Sequence, residues 1–162
     1  MLIAKSILVV LFLVALAAVA AGQAGMLGGH APTNLGVRDG RLKPPSTTPN
    51  SVSSQADLYP DHTQRAYASL PPLPVKGSGP ATMAKIKGIV ESLGGAEIVR
   101  SEPDYLYAQF TTRIMKFVDD TEFWFDPVAN VIQVRSASRL GSKDFGVNRD
   151  RIETVRHRLA AL

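Results

Sequence analysis

Cysteine is absent from all 162 residues, so no disulfide can brace the fold. Thiol redox chemistry, thiol nucleophiles and the thiolate ligands of zinc or iron–sulfur centres are excluded with it. Histidine is scarce: His30, His62 and His157 are the only imidazoles and lie far apart in the chain, so neither a metal site nor a cofactor is expected. A large charge of one sign is also missing. Lys and Arg number 18 and Asp and Glu 14, a formal +4 that becomes +3 if a leader containing Lys5 is lost. Charge this small and dispersed, without an aromatic-and-basic ladder, leaves no footprint for nucleic acid. It is compatible with contact to anionic lipid headgroups, and equally with an ordinary solvated surface.

What the chain does have is an unbroken apolar run, Ile7 to Ala21, behind the cationic Lys5. A positive head, an apolar middle and a small-residue tail match a secretory signal, and the tail offers Val19-Ala20-Ala21 or Gly22-Gln23-Ala24 as sites with small residues near a cut. Because no charged side chain occurs from Ser6 through Val37, the same stretch can also continue to the roughly 20 residues that span hydrocarbon. Residues 1–27 are therefore read as a signal peptide or a membrane anchor. Either way Lys5 stays cytoplasmic, and the rest of the chain is expected outside the cytoplasm, tethered to the membrane or free in the periplasm.

Residues 28–54 are rich in Gly, Pro, Ser, Thr and Asn and read as an extended linker. Residues 55–162, roughly 100 in all, are expected to form one domain. Its first part, Asp57 to Val75, reads as an irregular docked strap because prolines interrupt it. Regular structure begins near Pro80, where Met83, Ile86, Ile89, Val90 and Leu93 recur at helical spacing and Gly94-Gly95 supplies a stop. Ala96–Ser101 and Asp104–Arg113 carry strand patterns, the second alternating Leu106, Ala108 and Phe110 with Tyr105, Tyr107 and Gln109. Thr121–Phe125 and Val131–Ser136 form a hairpin around the five-residue connection Asp126–Asn130. A last helix is expected with Asn148 as N-cap, a staple between Val147 and Ile152, and a stripe of Ile152, Val155, Leu159 and Leu162. The expected fold class is α+β: a four-stranded antiparallel sheet with a helix before and a helix after it.

Two segments concentrate charged and hydroxyl side chains: Phe117-Val118-Asp119-Asp120-Thr121-Glu122-Phe123, and Arg135 through Arg149. Together with Pro49-Asn50-Ser51-Val52-Ser53-Ser54-Gln55-Ala56, they resemble the signature of a bacterial and plant family catalogued as domain of unknown function 1499. The likeness runs from about Leu35 to the C-terminus. That family usually carries a Cys-Pro pair and a second Cys upstream, where this chain has Pro45-Ser46 and Ser51. The resemblance implies an extracytoplasmic domain with no assigned activity, and the joint loss of both thiols argues against a thiol mechanism.

The candidate cluster comprises Asp119, Asp120, Glu122, Arg135, Ser136, Ser138, Arg139, Asp144, Asn148 and Arg149. If Phe125 pairs with Val131, Thr121 faces Arg135 and Asp119 projects to the same side, although a one-residue bulge would exchange the faces. Four acids, Asp119, Asp120, Glu122 and Asp144, balance Arg135, Arg139, Lys143 and Arg149, which favours a self-neutralised structural network. The competing reading is an anion site built from Arg135, Arg139, Arg149 and the amides opening the last helix. Ser136 and Ser138 lack a nearby His and a Gly-x-Ser-x-Gly elbow, and the acids lack the spacing of a calcium loop. Trp124 and the tyrosines are expected in the core. The function expected is a non-catalytic binding or interaction module at the membrane surface, its ligand or partner unidentified. The alternative is a hydrolase or other enzyme acting on an anionic small molecule.

Overall fold

The computed structural model describes residues 2–162. The apolar run forms α1 (Leu2–Gln23), whose 22 residues reach about 33 Å at 1.5 Å per residue, against about 30 Å of bilayer hydrocarbon. Its apolar side chains from Ile7 to Leu16 stay exposed instead of packing on the domain. The helix is long and apolar enough to cross a membrane and lies near the N-terminus, as a signal sequence or an anchor does.

Four strands form an antiparallel meander: β3 (Ala96–Ser101), β4 (Tyr105–Thr111), β5 (Val118–Asp126) and β6 (Val131–Ser138). Alternation sends Leu106, Ala108, Phe110, Phe123, Ile132 and Val134 into one core, because successive side chains of a strand take opposite faces. The helices α3 (Gly79–Glu91) and α4 (Val147–Ala160) cover that face, contributing Met83, Ile86, Ile89, Val90, Ile152, Val155 and Leu159. Ser78 caps α3, its Oγ accepting from Ala81 N at 3.3 Å. Past the helix end, Gly95 takes φ +78° against the Thr111 carbonyl, a place with no room for a side chain.

The sheet contains six strands among the described residues, two more than the four expected. β1 (Ser51–Ser53) and β2 (Leu73–Pro74) both pair antiparallel with the outer edge of β6, giving the order β1-β6-β5-β4-β3 with β2 also on β6. Neither shows the period-2 alternation that identifies a strand: Ser51, Val52 and Ser53 are all buried, and β2 is two residues long, follows Pro71-Pro72 and itself ends in Pro74. Part of the stretch read as an extended linker is therefore sheet. Its upstream portion lies over the second sheet face, where Leu42 is buried with Tyr105 and Trp124. The strap 57–75 is docked, carrying a 3₁₀ turn (Ala56–Leu58), α2 (Arg65–Ala68) and the core residues Leu70 and Leu73.

Three local expectations are corrected. The hairpin pairs Asp126 with Val131, a shift of one residue, so Phe125 faces Ile132, Thr121 faces Ser136 and Glu122 faces Arg135. Asn130 at φ +53° closes the four-residue loop, a conformation Asn tolerates. At the start of α4 the N-cap position is Gly146, without a side-chain cap. Asp144 serves instead, accepting from Asn148 N at 3.0 Å and Gly146 N at 3.2 Å. Asn148 lies two residues further in, within the first turn, and is fully buried, while Leu162 is exposed rather than part of the stripe.

Candidate functional site

The one-residue shift divides the expected constellation between opposite faces of the sheet. Asp119 and Arg135, placed on the same side by the sequence, are separated by the sheet itself. On the helix face, Arg151 of α4 reaches Asp119 at 2.6 Å and donates to Ser136 Oγ at 3.0 Å and Asn148 Oδ1 at 2.8 Å. Ser136 Oγ donates to Asn148 Oδ1 at 2.6 Å and lies 2.7 Å from Thr121 Oγ1. A hydroxyl has one proton, so Thr121 is the donor in that contact. Asn148 Nδ2 donates to Ser138 Oγ at 3.0 Å and to the Asn50 carbonyl at 3.1 Å. The Arg151 guanidinium also stacks 4.4 Å over the Phe110 ring. The hydroxyls of Ser136 and Ser138 are thus engaged in joining β6 to α4 and to the chain before β1.

Asp144 and Arg149 tie the strap to this end of α4. Asp144 accepts a short hydrogen bond from Tyr67 Oη, and Arg149 Nη2 donates to the carbonyls of Tyr67 and Ser69. Burial alone would raise the Asp144 pKa, but the hydrogen bonds from Tyr67, Asn148 and Gly146 outweigh it and hold the carboxyl below its ordinary value.

The other face carries Asp120, Glu122, Arg135 and Arg139 beneath residues 34–47. Arg139 grips Asp120 with two nitrogens, at 2.9 and 2.7 Å, and Tyr107 Oη donates to the same carboxylate at 2.5 Å. Glu122 is fully buried; its Oε1 accepts from Tyr105 Oη and from Gly36 N, both at 2.7 Å, while Oε2 has no hydrogen bond. Burial, followed by the Glu122 charge, pushes the Tyr105 phenol strongly upward. Arg135 is 4% exposed. Its Nε donates to the Pro44 carbonyl at 3.3 Å, and Nη1 lies 3.9 Å from Glu122 Oε2. Neither terminal nitrogen makes a hydrogen bond, and neither is among the polar atoms sealed from solvent without a partner.

Arg135 lines a cavity of about 390 Å³ between β6 and the overlying segment, together with His30, Lys43, Ser46, Arg139 and Asp120. Burial pulls the Arg135 guanidinium below its ordinary value, with Glu122 and then Asp120 opposing. The recess thus holds Lys43, the Arg139–Asp120 ion pair and the Arg135 guanidinium, whose Nε alone makes a hydrogen bond.

Sequence reasoning missed Arg151, Tyr105, Tyr107 and Lys43 as members of these networks. For Arg151 a signal existed, since Asn148, Arg151 and Val155 share a helical stripe at i, i+3 and i+7. Lys43 could not be found, because the segment carrying it was read as a linker.

The fold and its polar networks define a class: a small α+β domain with helices on one sheet face and the irregular segment 34–47 across the other, preceded by an apolar helix. The chain belongs to the family described as "Protein of unknown function (DUF1499)", whose model matches residues 41–159. No curated protein and no solved structure matches it. Between the places where the resemblance sets Pro45-Ser46 against the family's Cys-Pro pair and Ser51 against its second Cys, Ser51 Oγ accepts from Ser46 N at 2.8 Å.

Proposed function

We propose that this protein is a non-catalytic binding module, tethered outside the cytoplasm by α1, that takes a small anion at Arg135. The observation that carries the reading is the Arg135 guanidinium, hydrogen-bonded only through Nε and with its terminal nitrogens reaching solvent, beside a cavity whose wall also holds Lys43 and the Arg139–Asp120 pair. A carboxylate or phosphate oxygen matches that fork of donors. The remaining candidates, Asp119, Ser136, Ser138, Asp144, Asn148 and Arg149, act as the structural frame, which supports binding over catalysis. Tethering outside the cytoplasm is supported by the length and composition of α1 with Lys5 at its head.

Titration with inorganic phosphate and with acetate, followed by thermal denaturation of the full chain in detergent, tests the site. An anion that binds the folded state raises the midpoint with concentration. The rise is expected in the wild type and in Arg100→Gln, an exposed control, and lost in Arg135→Gln. An equal rise in all three would overturn the assignment. A reporter active only in the cytoplasm, fused behind Leu162, should be silent; a strong signal would reverse the localisation.

A further inference from the structure

Beyond the Arg135 recess, we infer that the end of the sheet from which α1 emerges is a lipid-contacting surface, seated on the anionic headgroups of the bilayer that holds α1. This rests on the reading of α1 as a retained anchor. The last turn of α1 is docked on the loop joining β4 to β5: Gln23 Nε2 donates to the Ile114 carbonyl at 2.8 Å. Gly22 lies so close that a Cβ there would meet Met115 O at 2.5 Å. A span that starts near Leu2 leaves hydrocarbon at about this turn, given the roughly 30 Å core. The loop is therefore held at headgroup depth.

The surface at that end has the matching composition. Met26, Ile114, Phe117, Leu140, Phe145 and Val147 are exposed by 72, 60, 37, 41, 91 and 46%. All belong to one end of the sheet, because β5 begins at Val118, β6 ends at Ser138 opposite Asp119, and Arg139 N donates to the Val118 carbonyl. A groove of about 820 Å³ opens beside Val147, with Phe110, Arg113 and Lys116 also in its wall. Arg113, Lys116 and Lys143 supply positive charge there. Asp119 and Asp120 are neutralised by Arg151 and Arg139, Asp144 is buried, and Asp150 is the acid that remains on the groove wall. Exposed apolar side chains among cations are what an interfacial lipid contact requires, apolar groups entering the acyl boundary and cations meeting anionic headgroups.

The opposite end provides the control. Val128, in the β5–β6 turn, is 95% exposed, and the nine residues of β5 place it about 30 Å from the lipid-facing loop at 3.3 Å per residue. Since the chain has no cysteine, Ile114→Cys, Phe145→Cys and Val128→Cys each give a single labelling site. The full chain carrying an environment-sensitive fluorophore is reconstituted into vesicles of equal phosphatidylcholine and phosphatidylglycerol and washed at alkaline pH. Labels at 114 and 145 should emit at shorter wavelength than at 128. They should also be several-fold less accessible to a water-soluble quencher and be quenched by a nitroxide on the lipid chain. Labels at 114 and 145 as aqueous as at 128, in protein that stays in the vesicles, overturn the lipid contact alone. Shielding from the aqueous quencher without quenching by the lipid nitroxide means another protein surface covers the patch, and also overturns it. Release by the alkaline wash removes the anchor reading and this inference together.

Discussion

Glu122 and Arg135 stand directly opposite one another on neighbouring strands, yet Arg135 Nη1 stops 3.9 Å from Glu122 Oε2. Tyr105 and Gly36 hold the glutamate by its other oxygen, and the Pro44 carbonyl holds the arginine by Nε. Each partner is thus positioned by the covering segment and the sheet, leaving the guanidinium tip toward the recess.

A double-mutant cycle follows from this pair. Arg135→Met alone leaves a buried carboxylate without its counter-charge and should cost about 3–5 kcal/mol in denaturant unfolding. Adding Glu122→Gln keeps the acceptor for Tyr105 and Gly36 while removing the charge, and should recover a large part of that loss. Strictly additive effects would show that the two charges do not sense each other.

Asp144 should contribute to acid sensitivity. Its folded-state pKa is depressed, so its stabilisation is complete above the unfolded aspartate value of about 3.9 and is lost as pH falls through the folded value. Asp144→Asn should be less stable than wild type at neutral pH, and the difference should shrink on acidification below about pH 4. A gap that stays constant down to pH 2 would remove this role.

Two glycines predict opposite responses to alanine. Gly88 lies within α3 with open space where a Cβ would go, so Gly88→Ala should stabilise by up to about 1 kcal/mol. Gly95 has φ +78° and faces the Thr111 carbonyl, so Gly95→Ala should lower the denaturant midpoint substantially. Equal midpoints for the two variants would contradict the described turn.

The folding unit is expected to begin well before residue 55. A fragment from Gly28 retains Val52, Leu42 and the Asn50 carbonyl that Asn148 binds. One from Gln55 loses all three. Thermal melts should show a cooperative transition at clearly higher temperature for the longer fragment; identical transitions would confine the domain to 55–162.

Much of the fold was legible because burial was one-sided. Met83, Ile86, Ile89 and Val90 repeat at helical spacing, Leu106, Ala108 and Phe110 at strand spacing, and each set lies in the core. Ser51-Val52-Ser53 was illegible for the opposite reason: both its faces are covered, so polarity does not alternate. The residues of the candidate site were largely named, but the turn length decides their faces, and a four-residue loop closed by Asn130 cannot be told by pattern from a five-residue one. Arg135 stood out by composition; its incomplete pairing depends on Pro44 and Gly36, which sequence distance conceals.

The pairing of β1 with β6 has a temporal consequence. Val52 meets Ser136, and the Asn50 carbonyl meets Asn148, so the earliest strand of the sheet finds its partners in nearly the last part of the chain to be synthesised. Closing so long a loop adds entropy cost only logarithmically, but it cannot start until β6 has been synthesised. During synthesis the segment from Ser51 onward must wait uncommitted. The sheet edge at β6 is then closed late, by residues made well before it.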